Sequence, residues 1–260
     1  MKTFFTLSLL CLGVCVYSQN NKKRKPPRLT SLEIKCFNLV KQAEYDLSNG
    51  RLEEGKFLAD SIIYLDPNLS DGYYIKARCE TFLNQSDKAM SDYNRAIELY
   101  PLEPEYYDSR AMIEENHKMQ EQALNDYSKA ITLEASKNTK DRSSLGNYYE
   151  HRATFKYSLL DYNGAKEDCD KAILYWPELH LSYSLRASIN FKNSNYLDAI
   201  KDCKKAIQLN PTGTDYEPYY TLGMCEVKLN RPENACEYFE KAKQLSNSYD
   251  VKSAINKYCN

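Results

Sequence analysis

Thirteen residues recur along this chain with modest changes: AMSDYNRAIELYP from residue 89, ALNDYSKAITLEA from 123, AKEDCDKAILYWP from 165 and AIKDCKKAIQLNP from 199. Self-similarity of this kind marks a stack of one supersecondary unit, each copy burying its apolar face on its neighbours. Twelve residues before the first alanine of each stretch stands another small residue. The pairs are Ala43/Gly55, Ala77/Ala89, Ala111/Ala123, Ala153/Ala165, Ala187/Ala199 and Gly223/Ala235. Two helices joined by a tight turn approach closely only where the facing side chains are small. The six pairs therefore predict six helical hairpins.

Other columns keep step with these pairs. Leu39, Tyr73, Tyr107, Tyr149, Tyr183 and Tyr219 stand four residues before the first small residue. Ala59, Tyr93, Tyr127, Cys169, Cys203 and Phe239 stand four after the second, and Ile62, Ala96, Ala130, Ala172, Ala206 and Ala242 seven after it. Steps of four and three follow the helical period, so these are packing faces. Pro67, Pro101, Pro177 and Pro211 close their units, because proline lacks the N–H that a helix needs.

The 34-residue step, the aromatic-then-small first helix, the A-x3-aromatic-x2-A second helix and the closing proline resemble tetratricopeptide repeats over residues 36 to 248. The resemblance implies an all-α fold: a right-handed superhelical solenoid of six hairpins at about 36–69, 70–103, 104–137, 146–179, 180–213 and 216–248. Leu39 and Ala59 in the first repeat, Ala135 in place of proline and Lys243 in place of isoleucine depart from the pattern. The step between second-helix alanines widens to 42 from Ala123 to Ala165 and to 36 from Ala199 to Ala235. Polar insertions at 135–147 and 212–217 are expected to form longer connections. Val251, Ala254, Ile255 and Tyr258 predict a short amphipathic helix over 249–260 that caps the last repeat.

Arg110, Arg152 and Arg186 each stand sixteen residues before an aspartate (Asp126, Asp168, Asp202), and Lys76 stands sixteen before Asp92. In an antiparallel hairpin these positions face each other, so an ion pair is expected within each of the middle four repeats.

The N-terminus, MKTFFTLSLLCLGVCVYSQNN, carries one early lysine, an apolar run from Phe4 to Val16 and then small residues, the form of a secretory signal. A membrane-spanning helix needs ~20 apolar residues, so the run is read as a leader cleaved after Ser18. Val14 occupies the place where a lipoprotein would carry a small residue before Cys15, and a lipid anchor stays as the alternative. The expectation is an exported protein, periplasmic or extracellular, with no transmembrane segment in the mature chain. Residues 19–35 read as a tail and linker, basic at Lys22, Lys23, Arg24, Lys25 and Arg28. Removing Lys2 and those five residues takes the formal charge from −1 to −7. An acidic body argues against nucleic acid, whose binding rests on lysine and arginine neutralising phosphate. Seven cysteines remain after the leader, an odd number without CxxC spacing. Several are expected to be small buried side chains, with Cys225 or Cys236 packing locally, and pairing is left open.

No catalytic motif surfaces. His117, His151 and His180 lie in no HExxH spacing, and neither a GxSxG elbow nor a GxxxxGK[ST] loop occurs. The expectation is no catalytic residue, no cofactor and no metal. The resemblance implies instead a concave groove lined by first helices, which would carry Asp71, Tyr74, Arg78, Glu105, Asp108, Met112, Glu115, Glu150, His151, Thr154, Ser184, Ser188, Glu217, Tyr220 and Met224. Such a groove, acidic with tyrosine and methionine contact points, would suit a basic or polar extended segment of a partner protein. The same residues also read as a solvated face. The set of lysines, asparagines and an arginine with which one subset of the family grips a chaperone C-terminus is absent: Val40, Glu44, Ile75, Tyr74 and Asp108 hold those places. The leading expectation is a non-catalytic interaction scaffold of a bacterial periplasm or envelope. One rival is a structural subunit of an envelope assembly docking through its convex face, its ends or the basic tail. Another is an enzyme that gathers His151 with two carboxylates.

Overall fold

The computed structural model describes residues 30–259; the expected leader, most of the basic tail and Asn260 lie outside the described residues. Among the described residues the chain forms thirteen helices and no strand. It divides into two compact units after Leu133.

The first unit holds α1 (Ser31–Ser48), α2 (Leu52–Leu65), α3 (Ser70–Phe82), α4 (Ser86–Leu99), α5 (Pro104–Asn116) and most of α6 (Gln120–Ser136). Helix α1 starts five residues before the expected repeat boundary because Thr30 opens a capping box. Its side chain accepts from the Glu33 N–H while Glu33 accepts from the Thr30 N–H, which satisfies two orphan donors. Ala43, Ile62, Ile75 and Cys79 form one buried cluster between α1, α2 and α3. Tyr74, Tyr93, Tyr106 and Ile113 form the next, among α3, α4 and α5. Each buried isoleucine of these clusters contributes about 1.5–3 kcal/mol.

The second unit holds the end of α6, then α7 (Ser143–Ser158), α8 (Tyr162–Tyr175), α9 (His180–Lys192), α10 (Tyr196–Leu209), α11 (Glu217–Lys228), α12 (Pro232–Leu245) and α13 (Tyr249–Tyr258). The insertion at 135–147 forms the expected longer connection only in part, because helix takes up residues 135–136 and 143–147. It lengthens α6 to 17 residues and α7 to 16, and leaves only residues 137–142 as the connection. Helix α13 is the expected cap. Ser248 accepts from the Val251 N–H at its start, and Val251, Ala254 and Ile255 bury against Ala235, Phe239 and Ala242 of α12. A disulfide joins Cys236 on α12 to Cys259 just past α13. Cys236 is therefore not a locally packed thiol; folding brings it to a residue 23 positions away. Cys36, Cys79, Cys169, Cys203 and Cys225 are buried and free.

Every small residue of the six pairs is buried, the ten alanines with no exposed surface. At the sixth turn the approach is close enough that a Cβ on Gly223 would lie 2.4 Å from the Phe239 ring. Each hairpin turn places one residue in the left-handed region at the same offset: Gly50, Asn84, Lys118, Leu160, Ser194 and Asn230. The Gln85 N–H reaches the Glu80 carbonyl at 2.8 Å and the Asn84 N–H the Thr81 carbonyl at 3.0 Å, the doubly bonded helix end of a Schellman motif. The same bonds recur from Met119 to Glu114, Asp161 to Lys156, Asn195 to Asn190 and Arg231 to Glu226.

All four expected intra-repeat ion pairs form. Arg110, Arg152 and Arg186 each donate two hydrogen bonds to their aspartate, at 2.6 and 2.9 Å, 2.8 and 2.7 Å, and 2.9 and 2.7 Å. Lys76 lies 3.7 Å from Asp92. The sequence reading missed the second half of the device. Sixteen residues in the other direction, Lys76 meets Asp60 at 3.0 Å, Arg110 meets Asn94 at 2.7 Å and Arg186 meets Asp170 at 2.6 Å. These basic residues thus clip successive hairpins together as well as closing their own.

Candidate functional site: the first-helix faces

Within each unit the first helices of successive hairpins pack side by side: α1 on α3 and α3 on α5, then α7 on α9 and α9 on α11. Their shared face carries the residues that sequence reasoning assigned to a groove. The structure sorts those residues into two kinds.

One column is squeezed between neighbouring helices. Tyr74, Asp108, Glu150 and Ser184 are 4, 5, 7 and 4% exposed, so they form the floor rather than an open lining. Close helix packing is the reason. The Tyr74 hydroxyl lies 3.3 Å from Ser109 Oγ on the next first helix, and Ser184 donates to Asp215 at 3.3 Å. Ser70 Oγ and the Tyr106 hydroxyl lie 3.0 Å apart, and the same hydroxyl donates to Asp71 at 3.3 Å. The flanking columns are more open. Met112 and Thr154 are exposed, while Asp71, Arg78, Glu105, Glu115, His151, Ser188, Tyr220 and Met224 are half-buried. Leu181, which the sequence reading did not single out, is 42% exposed on this face of α9. It stands 36 residues before Glu217, at the repeat place that Asp71, Glu105 and Glu217 hold in other hairpins, so the repeat spacing already contained it.

In the first unit the acidic residues surround an arginine. Arg78 donates through Nη1 to both Glu44 oxygens, at 3.1 and 2.9 Å, and its guanidinium lies 5.4 Å from the centroid of the Tyr74 ring. Burial raises the Glu44 pKa against the pull of Arg78, with Glu105 and Asp71 adding to the rise. Burial, then the charge of Glu105, pushes the Tyr74 phenol well above its usual value. Glu115 accepts from the Tyr127 hydroxyl across its own hairpin.

In the second unit the face opens into a cleft of about 620 Å³. Its wall includes Glu150, Thr154, Tyr157, Leu181, Ser184, Ser188, Glu217, Tyr220 and, from the connection and cap, Asp215 and Asp250. Asp215 is pinned: one oxygen accepts from the Glu217 N–H at 3.0 Å and the other from Ser184. Burial and then Asp215 raise the Glu217 pKa, although the residue keeps an open edge to solvent. His151 and Met224 do not line this cleft. Among the described residues no group of His, Cys, Asp or Glu is placed to hold a metal ion, and no helix is long and apolar enough to cross a membrane.

The tetratricopeptide repeat profile matches residues 70–101, 181–212 and 216–249. Over 223 residues the chain is 24% identical to DnaJ homolog subfamily C member 7 of Mus musculus, covering 80% of this chain but 43% of that protein. The chain thus spans less than half the length of the curated relatives it matches. PilF of Pseudomonas aeruginosa superposes with a TM-score of 0.77 at 14% identity, over 88% of this chain and all of that one. YrrB, a TPR protein with an unusual peptide-binding site, superposes with a TM-score of 0.57 at 14% identity, over 76% of this chain and 97% of that one. Recurrent hairpins, the matched repeat profile and these folds agree: the chain has an all-α helical-repeat fold and carries tetratricopeptide repeats at the matched residues.

Proposed function

We propose that this protein is a non-catalytic interaction scaffold that holds an extended, basic or polar segment of a partner protein on its first-helix faces. The observation that carries the reading is the division of labour on those faces. Buried Tyr74 ties α3 to α5 through Ser109 and buried Ser184 ties α9 to the connection before α11 through Asp215, while Met112, Thr154 and Leu181 are left exposed beside carboxylates. An interface with exposed apolar anchors and acidic neighbours favours a partner that brings apolar contact and positive charge. The peptide-binding site of the similarly folded YrrB supports the same class of ligand.

The setting we propose is a bacterial periplasm or envelope. The leader-like run from Phe4 to Val16 supports export, and so does the Cys236–Cys259 disulfide, a bond that persists in oxidising compartments.

The test uses two charge-adding sets in cells that make the protein, with the partner fixed by crosslinking and identified after capture. Met112→Arg, Thr154→Arg and Leu181→Arg on the first-helix faces should each lose the partner while the fold, followed by far-UV circular dichroism, is kept. Tyr64→Arg, Leu174→Arg and Leu197→Arg alter exposed residues of second helices and should keep it. Loss confined to the second set would move docking to the outer surface and support the structural-subunit reading.

A further inference from the structure

The first unit contains its own illustration of what an acidic, tyrosine-bearing first-helix face holds. Arg78 lies over Tyr74 with Glu44 at hydrogen-bonding distance, and Asp71 and Glu105 contribute to the field around this pair. That guanidinium comes from within the chain.

The repeat register carries part of this arrangement into the last hairpin. Asp71, Tyr74 and Arg78 of α3 occupy the same repeat positions as Glu217, Tyr220 and Met224 of α11. The Asp71 carboxylate and the tyrosine are kept there, the arginine is replaced by methionine, and Ser188 stands at the place of Glu44, the carboxylate that holds Arg78. Met224 packs toward the cluster of α12 and α13 instead of lining the cleft. Four carboxylates, Glu150, Asp215, Glu217 and Asp250, line the cleft with Tyr157 and Tyr220, and none of the four makes an ion pair among the described residues. Lys192 is the one cationic side chain on the wall, and it too has no ion-pair partner among the described residues. The Asp215 carboxylate is fixed by the Glu217 N–H and Ser184, so its position does not depend on a ligand.

We infer that the cleft of the second unit is a subsite for a lysine or arginine side chain of the partner's extended segment, which takes the place that Arg78 fills internally in the first unit. The inference rests on the proposed docking on first-helix faces and names the chemistry that this one cleft reads. Two physical features favour the cation. The carboxylates outnumber the wall's single lysine, so the local field is negative, and tyrosine faces attract ammonium and guanidinium groups. The polar wall and open edge let the charged head keep water while the aliphatic stem packs against Tyr157 and Tyr220.

The test passes a positional-scanning library of acetylated, amidated decapeptides over the immobilised full chain. Lysine and arginine are expected to be enriched at one position by about fivefold or more over glutamine and norleucine, as an ion pair plus a cation–π contact would give. Glu217→Gln should reduce that preference. Glu217→Gln combined with Asp250→Asn, two carboxylates of the wall, should abolish it, and both variants should keep the selections at other positions. Thermal unfolding followed by circular dichroism confirms that each variant is folded. Peptides retained without any cationic preference overturn the inference and leave the docking reading standing, as does a preference that survives in both variants. No retention at all by the parent or by a variant lacking residues 19–28 overturns both. Retention only after residues 19–28 are deleted makes the chain's own basic tail the occupant and overturns the inference.

Discussion

Arg186 stands between two aspartates: Nε and Nη2 donate to Asp202 of its own hairpin at 2.9 and 2.7 Å, and Nη1 donates to Asp170 of the preceding hairpin at 2.6 Å. The two bonds differ in burial. Asp202 is 5% exposed and also accepts from Asn190 at 3.1 Å, while the Asp170 side chain is 46% exposed. Asp202→Ala should therefore lower unfolding stability by about 2 kcal/mol, the cost of stranding buried hydrogen-bonded charge. Asp170→Ala should cost about 0–1 kcal/mol. Urea denaturation of the two variants checks the order, and equal losses would contradict it.

Glu114, buried near the end of α5, predicts a pH dependence. Burial, then the charge of Asp126, raises the Glu114 pKa to about 7, opposed by Arg110, and one Glu114 oxygen is buried without a hydrogen-bond partner. The folded chain therefore holds a proton there that the unfolded chain releases near pH 4.5. This contribution to stability is complete below pH 4.5 and is lost as pH rises through about 7. Glu114→Gln, which mimics the protonated side chain, should flatten the slope of stability against pH between those limits and raise stability above pH 7. An unchanged slope in urea titrations across that range would refute the assignment.

Leu160 occupies the left-handed turn position with φ at 65°. For an L residue with a side chain that conformation costs about 1–2 kcal/mol, and the leucine is 71% exposed, so it gains little packing in return. Leu160→Gly should raise the thermal midpoint, with a net gain of about 1 kcal/mol after the glycine's added unfolded-state entropy. A lowered midpoint would show that the leucine makes a contact worth more than its strain.

The cap at the end of the second unit depends on one covalent link. Opening the 23-residue separation between Cys236 and Cys259 should cost about 3 kcal/mol. Intact mass should rise by two hydrogens on reduction. Native protein should resist alkylation at Cys79 and Cys225, whose thiols burial pushes to about 11 and about 12, until denaturant is added. Rapid native labelling of either would show that these sites open readily.

Much of this architecture is written in short-range spacing, which is why it could be read without coordinates. A small residue twelve positions from another, or an arginine sixteen from an aspartate, reports a hairpin directly, since both members belong to one local unit. The Cys236–Cys259 pair was not legible because its geometry is set by how α13 folds back on α12, and spacing alone does not encode that. The burial of Tyr74, Asp108 and Glu150 was missed for a related reason. Their repeat position faces the neighbouring first helix as well as the groove, and only the separation of those helices decides which contact wins. Lengthened helices at the 135–147 insertion show that polar residues with a single glycine at 146 do not by themselves break a helix. Gly146 sits inside α7, where a Cβ would lie 2.7 Å from that of Trp176, so it serves packing rather than a turn.

The most direct test of docking on the first-helix faces is a photo-crosslinker placed, one residue at a time, along the whole of α9 from His180 to Lys192 in the producing cells. The account predicts crosslinks to a partner that peak at Leu181, Ser188 and Lys192 on the cleft side and fall away between them with helical period. Crosslinks that peak on another face of α9, or none along α9 with strong ones from Leu174 and Leu197, would contradict it.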